Sequence, residues 1–172
     1  EIYIYGITTA QGPLGNIPEY SIEFGLCKDI HGYFKHVKGI SNELKTELET
    51  AECLEVTENP GNTCEKRIFF KVDAGTEIGR VGHMQGNFDF GTLDYSKPKN
   101  EFVNLARYET DNGGLYRPKS LFIQCPLDYY EDSLKNQLFA KVAGTGEPKC
   151  GQIMHDIPGT LQGNWFNGTD TV

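Results

Sequence analysis

No stretch of this chain approaches the ~18 consecutive apolar residues that a membrane-crossing helix needs, so a helical span is excluded. Basic residues are in the minority, with Lys+Arg at 16 against Asp+Glu at 24 and a formal net charge of −8. No Lys/Arg stripe with interleaved aromatics occurs, which argues against a nucleic-acid partner. A polybasic run that would seek anionic lipid is missing too. There is no CxxC pair and no Cys/His cluster with zinc-finger spacing. Internal repeats and low-complexity tracts are absent. No signal-peptide pattern opens the chain, which starts directly in the strand-like IYIYG. Either a leader has been removed or the sequence begins inside a larger protein.

What is present describes a folded chain. Its 172 residues make one domain, or one domain with an appendage, long enough to bury a core without staples. Hydrophobic residues are 38% and aromatics 12%, too many for a disordered chain. Tyr 9, Phe 10, Gly 20 and Pro 8 favour strands and turns. The negative charge is read as a solubility device.

Cysteine is the next signal. The five cysteines are an odd number. Cys53 and Cys64 flank a segment with Asn59-Pro60-Gly61 at its turn, and two strands returning around it would bring the sulfurs together. Cys125 and Cys150 bracket an expected helix and form a second candidate pair. Cys27 is then expected to be free and buried. Disulfides point to an exported protein, secreted or in the cell envelope. Asn167-Gly-Thr is a glycosylation sequon, relevant only in a secretory route that glycosylates.

Along the chain, Ile2 to Thr8 reads as a strand and Gln11 to Pro18 as a Pro/Gly loop. Tyr20, Ile22, Phe24 and Leu26 alternate with polar or small residues, the pattern of a half-buried strand. Tyr33 to Val37 is the next strand, making a hairpin. Ile40, Leu44 and Leu48 lie four apart behind a candidate N-cap, Ser41, and predict a short helix. Strands are expected at Arg67 to Val72, Glu77 to Val81 and Asn87 to Tyr95. Gly75 allows a positive φ in the turn between the first two. Ser96 to Pro118 is an irregular polar loop. Ser120 to Cys125 reads as a buried strand. Asp128 with Glu131 forms a capping box for a helix over 128–143, with Tyr130, Leu134, Leu138 and Val142 as its apolar stripe and Gly144 as its stop. Cys150 to Ile157 reads as a further strand, and Trp165 as a core residue. The expected fold is mainly β, with a β domain at 1–95 and a C-terminal elaboration at 96–172 packed with it as one unit.

From Tyr33 onward the order of features resembles the lysostaphin-type zinc endopeptidases, which cleave peptidoglycan. Tyr33-Phe-Lys-His36-Val37 is similar to that family's Tyr-x-His strand. Val72-Asp-Ala-Gly75-Thr-Glu-Ile78-Gly79-Arg-Val-Gly82 is similar to its glycine-rich turn, and Gly86-Asn87-Phe88-Asp89-Phe90 to its His-x-His strand. The resemblance covers roughly residues 20–95. It implies a twisted antiparallel sheet or sandwich of the duplicated-hybrid-motif type, followed here by one C-terminal α-helix. Asn87 and Asp89 stand where the family has two histidines, and no early His/Asp ligand motif occurs between Glu1 and Tyr33, so that motif is missing or lies upstream of Glu1. What the resemblance implies is therefore a non-catalytic relative, with His36, Asn87 and Asp89 as a vestigial site. The C-terminal part, with CGQIMHDIPGTLQGNWF, is similar only to uncharacterised exported proteins.

Other candidates come from the residues themselves. His31, His36, His83 and Asp89 are weak candidate metal ligands. Tyr95, Phe102, Tyr108 and Tyr116 punctuate the long loop among amides and are candidate ligand-binding aromatics, or staples holding the loop to the sheet. No cofactor is expected, with zinc the alternative. The expected function is a non-catalytic binding or structural module of the cell envelope or extracellular space, related to glycan or peptidoglycan. Its partners would be such a glycan or other copies of the chain. The alternatives are a zinc-dependent cell-wall hydrolase with non-standard ligands, and a subunit of an extracellular assembly.

Overall fold

A computed structural model describes residues 1–11, 18–57, 63–82, 87–109 and 118–165. The protein is mainly β. It divides into two compact units, Glu1–Gly91 and Thr92–Val172.

The first unit holds β1 (Ile2–Gln11), β2 (Pro18–Gly25), β3 (Ile30–Val37), β4 (Gly39–Ile40), α1 (Asn42–Thr50), β5 (Cys53–Thr57), β6 (Thr63–Val72), β7 (Gly79–Arg80) and the start of β8 (Asp89–Asp94). Its main sheet runs β5-β6-β1-β2-β3-β8, while β4 and β7 form a separate two-stranded ribbon. The β1–β2, β1–β6, β2–β3 and β5–β6 pairs are antiparallel.

Register sorts the side chains. Ile4 lies opposite Phe24 and Phe70, and Phe24 lies opposite Gly32. Ile7 lies opposite Ile22 and Lys66, and Ile22 opposite Phe34. These rows form the inner face, because side chains alternate across a strand. Helix α1 covers it with Leu44 and Leu48, both buried with Ile4, Ile7, Ile22, Phe24 and Val72. Complete burial of one such aliphatic side chain stabilises by about 1.5–3 kcal/mol. Ser41 caps α1 as its spacing predicts, accepting from the Leu44 N–H at 3.3 Å. The Lys66 ammonium donates to the Leu48 carbonyl at 2.6 Å, satisfying a carbonyl of the last helical turn. Gly75 has φ +87°, in the turn closed by Thr76 N–H to the Asp73 carbonyl.

In the second unit the end of β8 pairs with β9 (Ile123–Gln124), Thr92 facing Gln124 and Leu93 facing Ile123. It also holds α2 (Ala106–Glu109), α3 (Asp132–Phe139) and 3-10 turns at Pro118–Phe122 and Pro126–Tyr129. Its core is Phe102, Tyr108 and Leu121, with Phe122, Ile153 and Met154 packed against them.

Asp94 is 2% exposed. Its carboxylate accepts from the Ser96 N–H at 2.9 Å, the Ser96 hydroxyl at 2.5 Å and the Tyr129 hydroxyl at 2.7 Å. Burial alone would raise its pKa, but these hydrogen bonds outweigh it and hold the carboxyl below its ordinary value. Burial, then the adjacent carboxylate, push the Tyr129 phenol upward.

Both expected cysteine pairs are bonded, Cys53 to Cys64 and Cys125 to Cys150. Several expectations are corrected. Cys27 is free but exposed, because it sits in the β2–β3 turn and not in a strand. Helix α3 is shorter than 128–143. Pro126 starts a 3-10 turn that takes in Asp128, whose carboxylate pairs with Lys135 at 2.6 Å and does not cap the helix. The Ser120 to Cys125 stretch is 3-10 turn as far as Phe122 and strand only at Ile123–Gln124, and Cys150 to Ile157 forms no strand. Trp165 is 66% exposed, its indole N–H donating to the Leu161 carbonyl at 2.9 Å. Asn167 lies outside the described residues.

Candidate functional site

The alternation that fills the inner face of the first unit sends a different set of residues to the other side. Tyr3 lies opposite Lys71 and Gly25, and Gly25 lies opposite His31. The next row is Arg67, Gly6, Glu23 and Tyr33, and the one after it Glu65, Thr8 and Ser21. This outer face carries aromatic rings. Tyr3 and Phe69 stack with centroids 4.9 Å apart and planes 21° apart, and Phe69 is 75% exposed. Tyr5 meets His31 edge-on, and its hydroxyl lies 3.1 Å from His31 Nδ1. His31 Nε2 donates to the Lys28 carbonyl at 3.0 Å, so in the neutral ring Nδ1 accepts from Tyr5.

Between the rings run charged groups. Arg67 pairs with Glu65 at 2.5 Å, Lys71 with Glu1 at 2.9 Å and with Asp73 at 3.4 Å. The Lys35 ammonium stands 5.2 Å from the Tyr33 ring centroid. Burial, and next the negative charge of Asp89, raise the Tyr33 phenol above its ordinary pKa. The phenol end of Tyr33 packs against Gly91, where a Cβ would clash with its Cζ and hydroxyl oxygen.

His36 closes this face at one end. The β2–β3 register slips by one residue between Tyr20 and Ile22, so Lys35 and His36 both oppose Ser21 in a bulge. His36 takes φ +62°, the left-handed region that side chains other than glycine enter at a cost. The bulge aims the imidazole between two carboxylates. Its Nδ1 is paired with Glu19 on β2, and its Nε2 lies 3.5 Å from Asp89 on β8. One histidine thus ties three neighbouring strands. Its two nitrogens point to opposite partners, so Glu19 and Asp89 do not converge on one coordination point. Among the described residues no group of three or more His, Cys, Asp or Glu is placed to hold a metal ion. Nε2 faces the Asp89 carboxylate.

Of the residues singled out from sequence, His36 and Asp89 come together, and Asn87 is exposed just before β8. His31 lies on the same face, in the row that holds Tyr3, and not beside His36. His83 and Tyr116 lie outside the described residues. The loop aromatics are corrected in part. Phe102 and Tyr108 are buried at 6% and 1% exposure and stack at 3.6 Å, as staples of the second unit's core. Tyr95 is partly exposed and packs on Phe122 at 4.8 Å. Glu19, Tyr3, Tyr33 and Phe69 were not anticipated. The signal for the rings was legible: in Ile2-Tyr3-Ile4-Tyr5 the isoleucines and tyrosines alternate, and Phe69-Phe70 must put one ring on each face.

No family model, no curated protein and no solved structure matches the chain.

Proposed function

We propose that this chain is a non-catalytic extracytoplasmic binding module whose ligand is a glycan laid along the outer face of the first unit's sheet. The observation that carries this reading is the Tyr3–Phe69 stack, with Phe69 exposed and Tyr3 half-buried, on the face that also holds Tyr5, His31 and Tyr33, set among Glu23, Glu65, Arg67 and Lys71. A sugar ring offers a C–H face and a rim of hydroxyls. Flat rings cover the first, and charged side chains at their edges take the hydrogen bonds of the second. The resemblance to peptidoglycan-cleaving enzymes supports a cell-wall polysaccharide as the glycan. Two disulfides are compatible with an oxidising compartment outside the cytosol.

The test is co-sedimentation with peptidoglycan and other insoluble polysaccharides, with calorimetry on soluble oligosaccharides. The wild type is expected to bind at least one, and Tyr3→Ala and Phe69→Ala to weaken binding about tenfold each, equivalent to about 1.4 kcal/mol. Absence of binding to every polysaccharide, or binding indifferent to both substitutions, would sink the reading.

A further inference from the structure

Helix α3 is wound but uncovered. None of its residues is buried, Leu134 is 43% exposed and Leu138 is half-buried. Bonds from the Ala140 N–H to the Asn136 carbonyl and from the Lys141 N–H to the Leu138 carbonyl keep the chain wound as far as Lys141. Glu131, Leu134, Leu138 and Lys141 therefore share one stripe, at spacings of three, four and three residues. That spacing is the seam along which two helices pack. Glu131 and Lys141 are exposed, while Lys135 is taken by Asp128.

The stripe is its own complement. It begins on an acid, ends on a base and holds a leucine pair between them. We propose that α3 is the contact of a two-fold dimer, laid antiparallel on α3 of a second copy of this chain. In that pairing Leu134 meets Leu138 twice over, and Glu131 meets Lys141 at both ends. A contact about a two-fold axis requires this reciprocity, residue i meeting j and j meeting i. A parallel pairing would set Glu131 on Glu131 and Lys141 on Lys141, so charge selects the antiparallel one. The opposed helix dipoles favour it too. The occupant is a second copy and not a foreign helix because the partner this stripe calls for, base to acid around two leucines, is the stripe itself reversed. One short helix per copy buries less than the ~1,200 Å² of a stable complex, so the dimer is weak, with a dissociation constant on the order of 10⁻⁴ M. The contact uses the second unit alone and does not depend on what the first unit's sheet binds.

The experiment is sedimentation equilibrium on the full chain, up to about 1 mM protein and in about 0.15 M salt. A Cys27→Ser background removes the exposed thiol, so no intermolecular disulfide forms. The chain is expected to dimerise reversibly, and Leu134→Asp to abolish association. Glu131→Lys and Lys141→Glu should each weaken it at least about tenfold, by setting like charges face to face. The two swaps together should restore it to within about threefold of the starting value. Glu131→Lys lowers the net negative charge and Lys141→Glu raises it, so an effect of net charge alone would move the two variants in opposite directions. That result would overturn the contact. So would a monomer at every concentration, a dimer indifferent to Leu134→Asp, or a double swap no stronger than the single ones. Circular dichroism checks that each variant folds, and if Leu134→Asp does not, the swaps and their rescue decide by themselves.

Discussion

The Tyr33 ring rests on the backbone of Gly91, two strands meeting where one has no side chain. Alanine at 91 would drive a methyl into the phenol end of Tyr33, so the ring must move or the strands part. Gly91→Ala is expected to cost about 1–3 kcal/mol, read as a lower urea midpoint at unchanged m-value. In a Tyr33→Ala background the same change should cost less than about 0.5 kcal/mol, because the obstructing ring is gone. An undiminished cost in the double variant would show that something other than Tyr33 excludes a side chain there.

His36 combines a left-handed backbone with a side chain held by Glu19 and Asp89. Glycine relieves the backbone while deleting the contacts, and alanine deletes the contacts without relief. His36→Gly is therefore expected to be more stable than His36→Ala by about 1 kcal/mol, with His36→Asn between them. Equal stability of the glycine and alanine variants in chemical denaturation would contradict a strained bulge.

Asp94 has a carboxyl held below its ordinary pKa in the folded state. A lowered folded value means the stabilisation is present above the unfolded pKa of about 3.9 and is lost as pH falls through the folded one. Asp94→Asn should flatten the acid limb of the stability profile below about pH 4, and Tyr129→Phe should flatten it in part by removing one donor. The raised Tyr129 phenol has the opposite sign. Its stabilisation is present below the unfolded value of about 10 and is lost as pH rises through the folded one. Tyr129→Phe should therefore also flatten the alkaline limb. Thermal melts across the pH range check both limbs.

The cysteines predict a labelling pattern. Cys27 is exposed and the other four are paired, so a thiol reagent should modify one cysteine in the native protein and no more after denaturation without reductant. Replacing Cys125 and Cys150 by serine frees a chain segment with a separation of 25 residues. On loop entropy this should cost about 3.5 kcal/mol, measured as the shift in the denaturation curve.

The main strands and the first helix were legible because their information is local. Isoleucine–tyrosine alternation sets the faces of β1, and Ser41 with Leu44 and Leu48 sets both the start and the buried side of α1. The cysteine pairs were legible because short chain segments bring their ends together. The C-terminal part was less so. Tyr130, Leu134 and Leu138 have helical spacing, yet none of α3 is buried, and Trp165 stays outside. Spacing describes which residues share a face and not whether anything covers it.

The sequence by itself determined the strand-rich class and the two faces of the sheet and offered both cysteine pairs as candidates, all consequences of side-chain period and short-range geometry; the bonds themselves are a property of the folded structure. Only the tertiary structure decided the site. Which carboxylate meets His36, that β2–β3 slips to turn it toward Asp89, and that Tyr33 lies on Gly91 all depend on register between strands distant in the chain. Register is set by the whole ladder and its bulges, and a slip of one residue exchanges the faces. No single segment carries that information.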